Sequence, residues 1–193
     1  MTSIYFVRHA QPDHGWEDDR SRPLSEEGKC DCAKVVEALA DISFQYAVSS
    51  PYKRSVDTIA ECARKHNVDI KMDERLRERE KGPNGNNSVM FQKRWADFDY
   101  HEEGGESLSM VQERNIQAVF DILDNHFGEN VLVGTHGTAL STILNYFESE
   151  YNCDSFLRII DFMPYIIRLD FEGRKCVGKE EILIVKKEYK GKH

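Results

Sequence analysis

Apolar runs and amphipathic periods alternate along most of this chain. Ile4-Tyr5-Phe6-Val7 are four apolar positions without a break. A run this short reads as a strand buried on both faces of a sheet. It ends in Arg8-His9, and Pro12, Gly15 and Pro23 then mark residues 10–23 as a long polar loop. Leu24-Ser25-Glu26-Glu27 opens a helix: Ser25 can cap it, Leu24 can staple it, and the acids suit the positive end of the dipole. Ala33, Val36, Leu39 and Ala40 give that helix its apolar stripe. Residues 44–49 read as a second strand, and Ser50-Pro51 turns the chain into a second helix with Pro51 in its first turn. Val56, Ile59, Ala60 and Ala63 form the inward face of that helix, and residues 68–72 a shorter third strand.

The middle of the chain is less periodic. Residues 73–80 are dense in charge and, on spacing alone, read as a solvated turn. Residues 82–88 are a loop, and 89–100 a short aromatic-rich helix folded over the site, so 83–104 is expected to be a cap or insert within a single domain spanning 1–193. Ser107 or Ser109 caps a long helix, Ser109-x-x-Gln112 fitting a capping box. Its core face is Ile116, Val119, Phe120, Leu123 and Phe127, and Gly128 ends it. Asn130 to Thr135 repeats the opening logic, an apolar strand delivering His136. Residues 139–147 read as a helix, so 136–138 lie at a helix N-terminus, where an anion is favoured. From 156 to 185 the pattern is strand-like, with 165–171 and 181–185 antiparallel through a turn at Glu172-Gly173 and a loose polar tail over 186–193. Strand–helix alternation followed by late strands predicts an α/β layered domain.

Composition narrows the function classes. The 26 basic and 34 acidic residues leave a net charge of −8, which gives no basic stripe for nucleic acid. No apolar run reaches the ~20 residues of a membrane span, and no charged-then-apolar leader opens the chain, so a cytoplasmic location is expected. The five cysteines are odd in number and irregularly spaced, as for reduced thiols, and Cys30-Asp31-Cys32 has neither redox nor zinc spacing. No H-x-x-x-H or H-E-x-x-H pattern surrounds His9 or His136, so no metal ligand set is expected.

Three strand ends therefore deliver Arg8 with His9, Arg54, and His136 to one sheet edge, where α/β folds bind ligands. Two arginines can grip a phosphoryl group at any relevant pH. A neutral imidazole is a competent nucleophile, and a second can donate to the phosphoryl oxygens. That set supplies the positioning and charge neutralisation phosphoryl transfer needs. The leaving alkoxide needs a proton, for which Glu78 and Glu80 are the candidates.

These residues also resemble a family. Arg8-His9-Ala10, Leu24-Ser25-x-x-Gly28, Ser49-Ser50-Pro51-Tyr52-Lys53-Arg54-Ser55-x-x-Thr58, Leu76-Arg77-Glu78, Gly105-Glu106-Ser107 and Thr135-His136-Gly137 look like the signatures, in order, of the histidine phosphatase superfamily, phosphoglycerate-mutase-like branch. The resemblance covers 4–148. It implies a three-layer α-β-α sandwich with a mixed, mainly parallel central sheet. It implies His9 as a nucleophile that becomes phosphohistidine; Arg8, Arg54 and His136 as the phosphate pocket; Glu78, ahead of Glu80, as proton donor and later base; Gln11 near the substrate phosphate; and no cofactor or metal. Glu78 is followed by Arg79-Glu80-Lys81-Gly82 where glycolytic mutases of the family have Arg-His-Tyr-Gly, and the short tail offers little to close over the site. A mutase must keep water from its phosphohistidine, so a phosphatase acting on a small phosphorylated metabolite is favoured over a phosphoglycerate mutase. A phospho-ligand binding protein with a silent site is the third alternative, disfavoured because neither nucleophile nor arginine is missing. The sequence leaves the physiological substrate and the oligomeric state open. Arg20, Arg22, Arg79, Lys81, Lys93 and Arg94 could meet a second anionic group on the ligand, or form a solvated charged surface.

Overall fold

Strand β1 (Thr2–Arg8) is buried at every position, as its unbroken apolar run predicts. In the computed structural model, which describes residues 1–83 and 88–188, β1 lies inside a mixed sheet. Ile4 and Phe6 point into one apolar cluster and Tyr5 and Val7 into another on the opposite face. The remaining elements, in chain order, are α1 (Glu26–Ala38), β2 (Tyr46–Ser49), α2 (Lys53–Lys65), β3 (Ile70–Met72), α3 (Ser88–Ala96), α4 (Leu108–Asn125), β4 (Asn130–Thr135), α5 (Gly137–Phe147), α6 (Cys153–Ile159), β5 (Phe162–Glu172) and β6 (Lys175–Lys186). Among the described residues six strands form one sheet in the order β3-β2-β4-β1-β5-β6. The first four run parallel, β5 pairs antiparallel with β1, and β6 antiparallel with β5. Val35, Leu39, Ile59 and Cys62 of α1 and α2, with Leu39 just past the end of α1, cover one face. Ile116, Val119, Leu140 and Ile143 of α4 and α5 cover the other. This is the three-layer α/β sandwich with a mixed, mainly parallel sheet.

Parallel pairing of β2, β4 and β1 brings three carboxyl ends side by side. Arg8 faces Thr135 in register, and Ser49 faces Gly134. The next residues along each strand, His9, His136 and Ser50, therefore share one sheet edge.

The local expectations hold with informative exceptions. Ser25 caps α1 by accepting from Gly28 N–H at 3.0 Å. The inward face of α1 is Val35 and Leu39, while Ala33 and Ala40 are exposed: small alanines carried too much weight in fixing the phase of the stripe. In α2 the inward positions include Arg54, Ser55, Thr58 and Cys62, and Ala60 is exposed. Pro51 lies outside that helix, before the cap residue Tyr52. Ser107, not Ser109, caps α4, accepting from Met110 N–H at 3.2 Å. Phe127 is 74% exposed rather than core, because α4 ends at Asn125 and Gly128 takes a positive φ of 81° just beyond. The stretch read as strand from 156 begins inside α6, which Asn152 and Ser155 cap reciprocally. The start of the tail is tied down, Lys187 donating to Asp161 O at 2.7 Å and pairing with Asp31 at 2.6 Å; residues 189–193 lie outside the described residues. Helix α3 packs on α6, Phe91 meeting Phe156 edge to face at 5.3 Å between centroids. Residues 84–87 of the expected insert are outside the described residues.

The loop after β1 is fixed at its base. Gln11 O accepts from Ser25 N–H at 2.9 Å, and Asp13 N–H donates to Pro23 O at 2.9 Å. Gly28 presses on the same carbonyl: a Cβ there would lie 2.1 Å from Gln11 O. Gly28→Ala is therefore expected to cost about 3 kcal/mol, the overpacking range, read as a lower urea midpoint. An unchanged midpoint would mean that the loop base moves freely.

Candidate active site

His9 is buried where β1 ends. Its Nδ1 lies 2.8 Å from Ala10 O. A carbonyl only accepts, so Nδ1 carries the proton, and in the neutral ring Nε2 keeps its lone pair. Arg54 Nε donates to that Nε2 at 3.3 Å. Burial, with the Arg54 and Arg8 guanidiniums beside it, holds the His9 pKa well below the ordinary histidine value. The ring is thus neutral at pH 7 with its unprotonated nitrogen next to a cation, which suits attack on an anionic electrophile.

His136, the residue before α5, lies edge-on to His9 with centroids 5.2 Å apart. Its Nε2 is 2.7 Å from Ser50 Oγ, and its buried Nδ1 has no hydrogen-bond partner among the described residues. Burial first, then Arg54 and His9, hold its pKa well below the usual range too. Both histidines take up protons near pH 6.5 when unfolded but resist them when folded. The stability they support is complete above that pH and falls as pH drops below it, by up to about 1.4 kcal/mol per unit for each. Urea midpoints at pH 7.5 and 5.5 should differ accordingly, and His9→Ala should remove about half of this slope. A flat profile would contradict the buried, neutral pair.

Arg54 sits in the first turn of α2 and is buried. Its Nη1 donates to Asp19 O at 2.6 Å and pairs with the Asp19 carboxylate at 3.3 Å; Arg22 holds the same carboxylate at 2.7 Å. The loop after β1 therefore folds onto the arginine, and an acid occupies one edge of its guanidinium. Sequence reading missed Asp19: nothing in its loop is periodic.

The charged stretch 73–80 is not a solvated turn. Leu76 and Arg79 are buried. The Glu78 carboxylate accepts from Arg79 N–H at 2.8 Å and from Thr138 and Ala139 N–H at 3.1 and 3.0 Å. The helix N-terminus expected to favour an anion does so, and a carboxylate of the chain fills it. Glu78 thus lies at the start of α5, the helix that His136 precedes, whereas Glu80 is exposed.

Two predicted residues also bond to the protein itself. Arg8 donates to Ile159 O, to Phe162 O at 3.2 Å and to Ile160 O at 2.9 Å. Its guanidinium lies against Gly137, where a Cβ would come within 3.1 Å of it. It fastens the α6–β5 corner to the site. Gln11 Oε1 accepts from Ser25 Oγ at 2.9 Å, at the helix cap. Of the other cations, Arg20 pairs with Glu74, Lys93 stacks on Tyr100, and Arg79 and Arg94 are buried on either side of Glu102, so these two are not a solvated surface. Cys32 and Cys62 are pushed up to about 11 by burial, far from thiolate reactivity. No helix among the described residues is long and apolar enough to cross a membrane.

Residues 4–179 match the profile described as the histidine phosphatase superfamily (branch 1). A probable phosphoglycerate mutase, GpmB, of Salmonella choleraesuis is 26% identical over 168 residues, covering 75% of this chain and 74% of its own. Among solved structures, YhfR of Bacillus stearothermophilus superposes with a TM-score of 0.75 at 24% identity, over 92% of this chain and 95% of its own. A phosphoserine phosphatase mutant from Entamoeba histolytica, in complex with phosphoserine, gives 0.77 at 15% identity, over 94% and 97%.

Proposed function

Since the chain belongs to the histidine phosphatase superfamily, we propose that it hydrolyses a small phosphate monoester through a phosphohistidine at His9. The observation that carries this reading is the hydrogen bonding of His9: Nδ1 lies against Ala10 O, which assigns the proton to Nδ1, and Nε2 keeps its lone pair toward Arg54. Nε2 attacks phosphorus as the ester P–O bond breaks. Arg54 and His136 meet the charge on the phosphoryl oxygens; if Ser50 donates to Nε2 of His136, the proton of that ring is on Nδ1, a buried donor suited to such an oxygen. A proton carried by Glu78 in the substrate complex goes to the leaving alkoxide. Water then attacks the phosphohistidine, Glu78 takes its proton, the P–N bond breaks, and His9 regains its lone pair. These groups supply the charge neutralisation that a metal ion supplies in other phosphoryl transfers.

The test is release of phosphate from para-nitrophenyl phosphate and 3-phosphoglycerate, with and without a chelator, beside His9→Ala. Chelator-resistant release that disappears in the variant supports the reading; release that survives the substitution overturns it. The GpmB relative keeps a mutase as the second reading. It predicts transfer dependent on a bisphosphate primer with little phosphate released. The Arg79-Glu80-Lys81-Gly82 sequence after Glu78 favours hydrolysis.

Asp19 bears on affinity. An incoming phosphoryl group competes with its carboxylate for Arg54 Nη1. Asp19→Asn is expected to tighten inhibition by orthophosphate about threefold, in line with a part-exposed ion pair. Weaker inhibition would mean that the carboxylate orients Arg54 for the ligand rather than competing with it.

A further inference from the structure

Arg114 of α4 uses all five of its guanidinium N–H groups on one neighbourhood. Nη1 donates to Arg75 O and Arg77 O, both at 2.7 Å. Nη2 donates to Glu78 O at 3.1 Å and to Glu106 Oε2 at 2.8 Å, and Nε to Glu106 Oε1 at 2.9 Å. Glu106 also accepts from Arg77 Nη2 at 2.9 Å and from Glu80 N–H at 2.8 Å. Past the 3-10 turn Glu74–Leu76 the segment that carries Glu78 has no helix or strand to hold its carbonyls. Backbone carbonyls shielded from water need partners, and a planar fork with five donors holds these part-buried ones where a lysine, with three and no plane, does not.

We infer that Arg114, locked by Glu106, is a positioning residue for Glu78: it sets the backbone of residues 75–80 so that the Glu78 carboxylate meets the start of α5 beside His136. The inference rests on Glu78 being the proton donor of the proposed reaction. It touches no reacting atom, so its effect must pass through proton delivery to the leaving group.

That effect is separable from general loosening of the fold. Para-nitrophenolate leaves readily without a proton, whereas phenolate is a much poorer leaving group, and the two phosphates are nearly the same size. Arg114→Lys is expected to lower kcat/KM for phenyl phosphate roughly 100-fold, the scale of a misplaced catalytic group, and for para-nitrophenyl phosphate less than about fivefold. Glu78→Gln should show the same selectivity, and adding Arg114→Lys to it should produce no further selective loss. Equal losses on both substrates in Arg114→Lys, with selective loss retained in Glu78→Gln, would overturn the positioning role alone. No selectivity in Glu78→Gln would overturn the donor assignment and the inference with it. If Arg114→Lys does not fold, Glu106→Gln, which keeps the shape and removes the charge of the lock, takes its place with the same selectivity expected; equal losses there overturn the inference.

Discussion

Alanine at position 9 is expected to reduce turnover of any phosphate monoester the protein accepts by about ten-thousand-fold or more. Removal of an attacking atom leaves only the binding and electrostatic part of catalysis, and that residue is small in other covalent enzymes. Arg54 and His136 remain in the variant, so orthophosphate should still compete for the site with an affinity within about tenfold of the parent. The fold should persist, because the β1 core from Ile4 to Val7 is untouched; circular dichroism and a urea curve check this. A variant that retains more than about one hundredth of the activity would place the nucleophile elsewhere.

Arg54→Ala is expected to cost about a thousandfold in kcat/KM, between the loss of one oxyanion donor and that of a charge-stabilising arginine in phosphoryl transfer. This guanidinium does two things at once: Nε addresses His9 Nε2 at 3.3 Å while Nη1 meets the loop after β1 at Asp19. A lysine cannot do both from one nitrogen, so Arg54→Lys should recover less than a tenth of the loss. Steady-state kinetics on para-nitrophenyl phosphate decide it, and full recovery by lysine would mean that only net charge matters at this position.

Much of this architecture is legible in the sequence. The unbroken run Ile4 to Val7 is short and flanked by polar residues, which specifies a strand covered on both faces, and the same holds for Val131 to Val133. Parallel strands force their carboxyl ends together, so His9, Arg54 and His136 could be grouped from strand order alone. Helix phase was harder to read: Ala33, Ala40 and Ala60 are small enough to face solvent at little cost, whereas Val35 and Cys62 fix the buried side. The charged stretch 73–80 misleads because Arg79 and Arg77 are paired at long range by Glu102 and Glu106, and its backbone carbonyls are held by Arg114. No local pattern encodes a pairing between residues about thirty positions apart. Asp19 and Arg114 escaped for the same reason, and Gly105-Glu106-Ser107, visible as a motif, acquires a physical meaning only with its partners: Ser107 starts α4 and Glu106 locks Arg114.

The central claim is that hydrolysis proceeds by two in-line displacements, first by His9 and then by water. Its most direct test is the stereochemical course at phosphorus, followed with an aryl phosphate whose phosphoryl group is made chiral by oxygen isotopes. Two displacements invert configuration twice, so the released phosphate is expected to show overall retention. Inversion would mean that water attacks the ester directly, and the phosphohistidine at His9 would have to be abandoned.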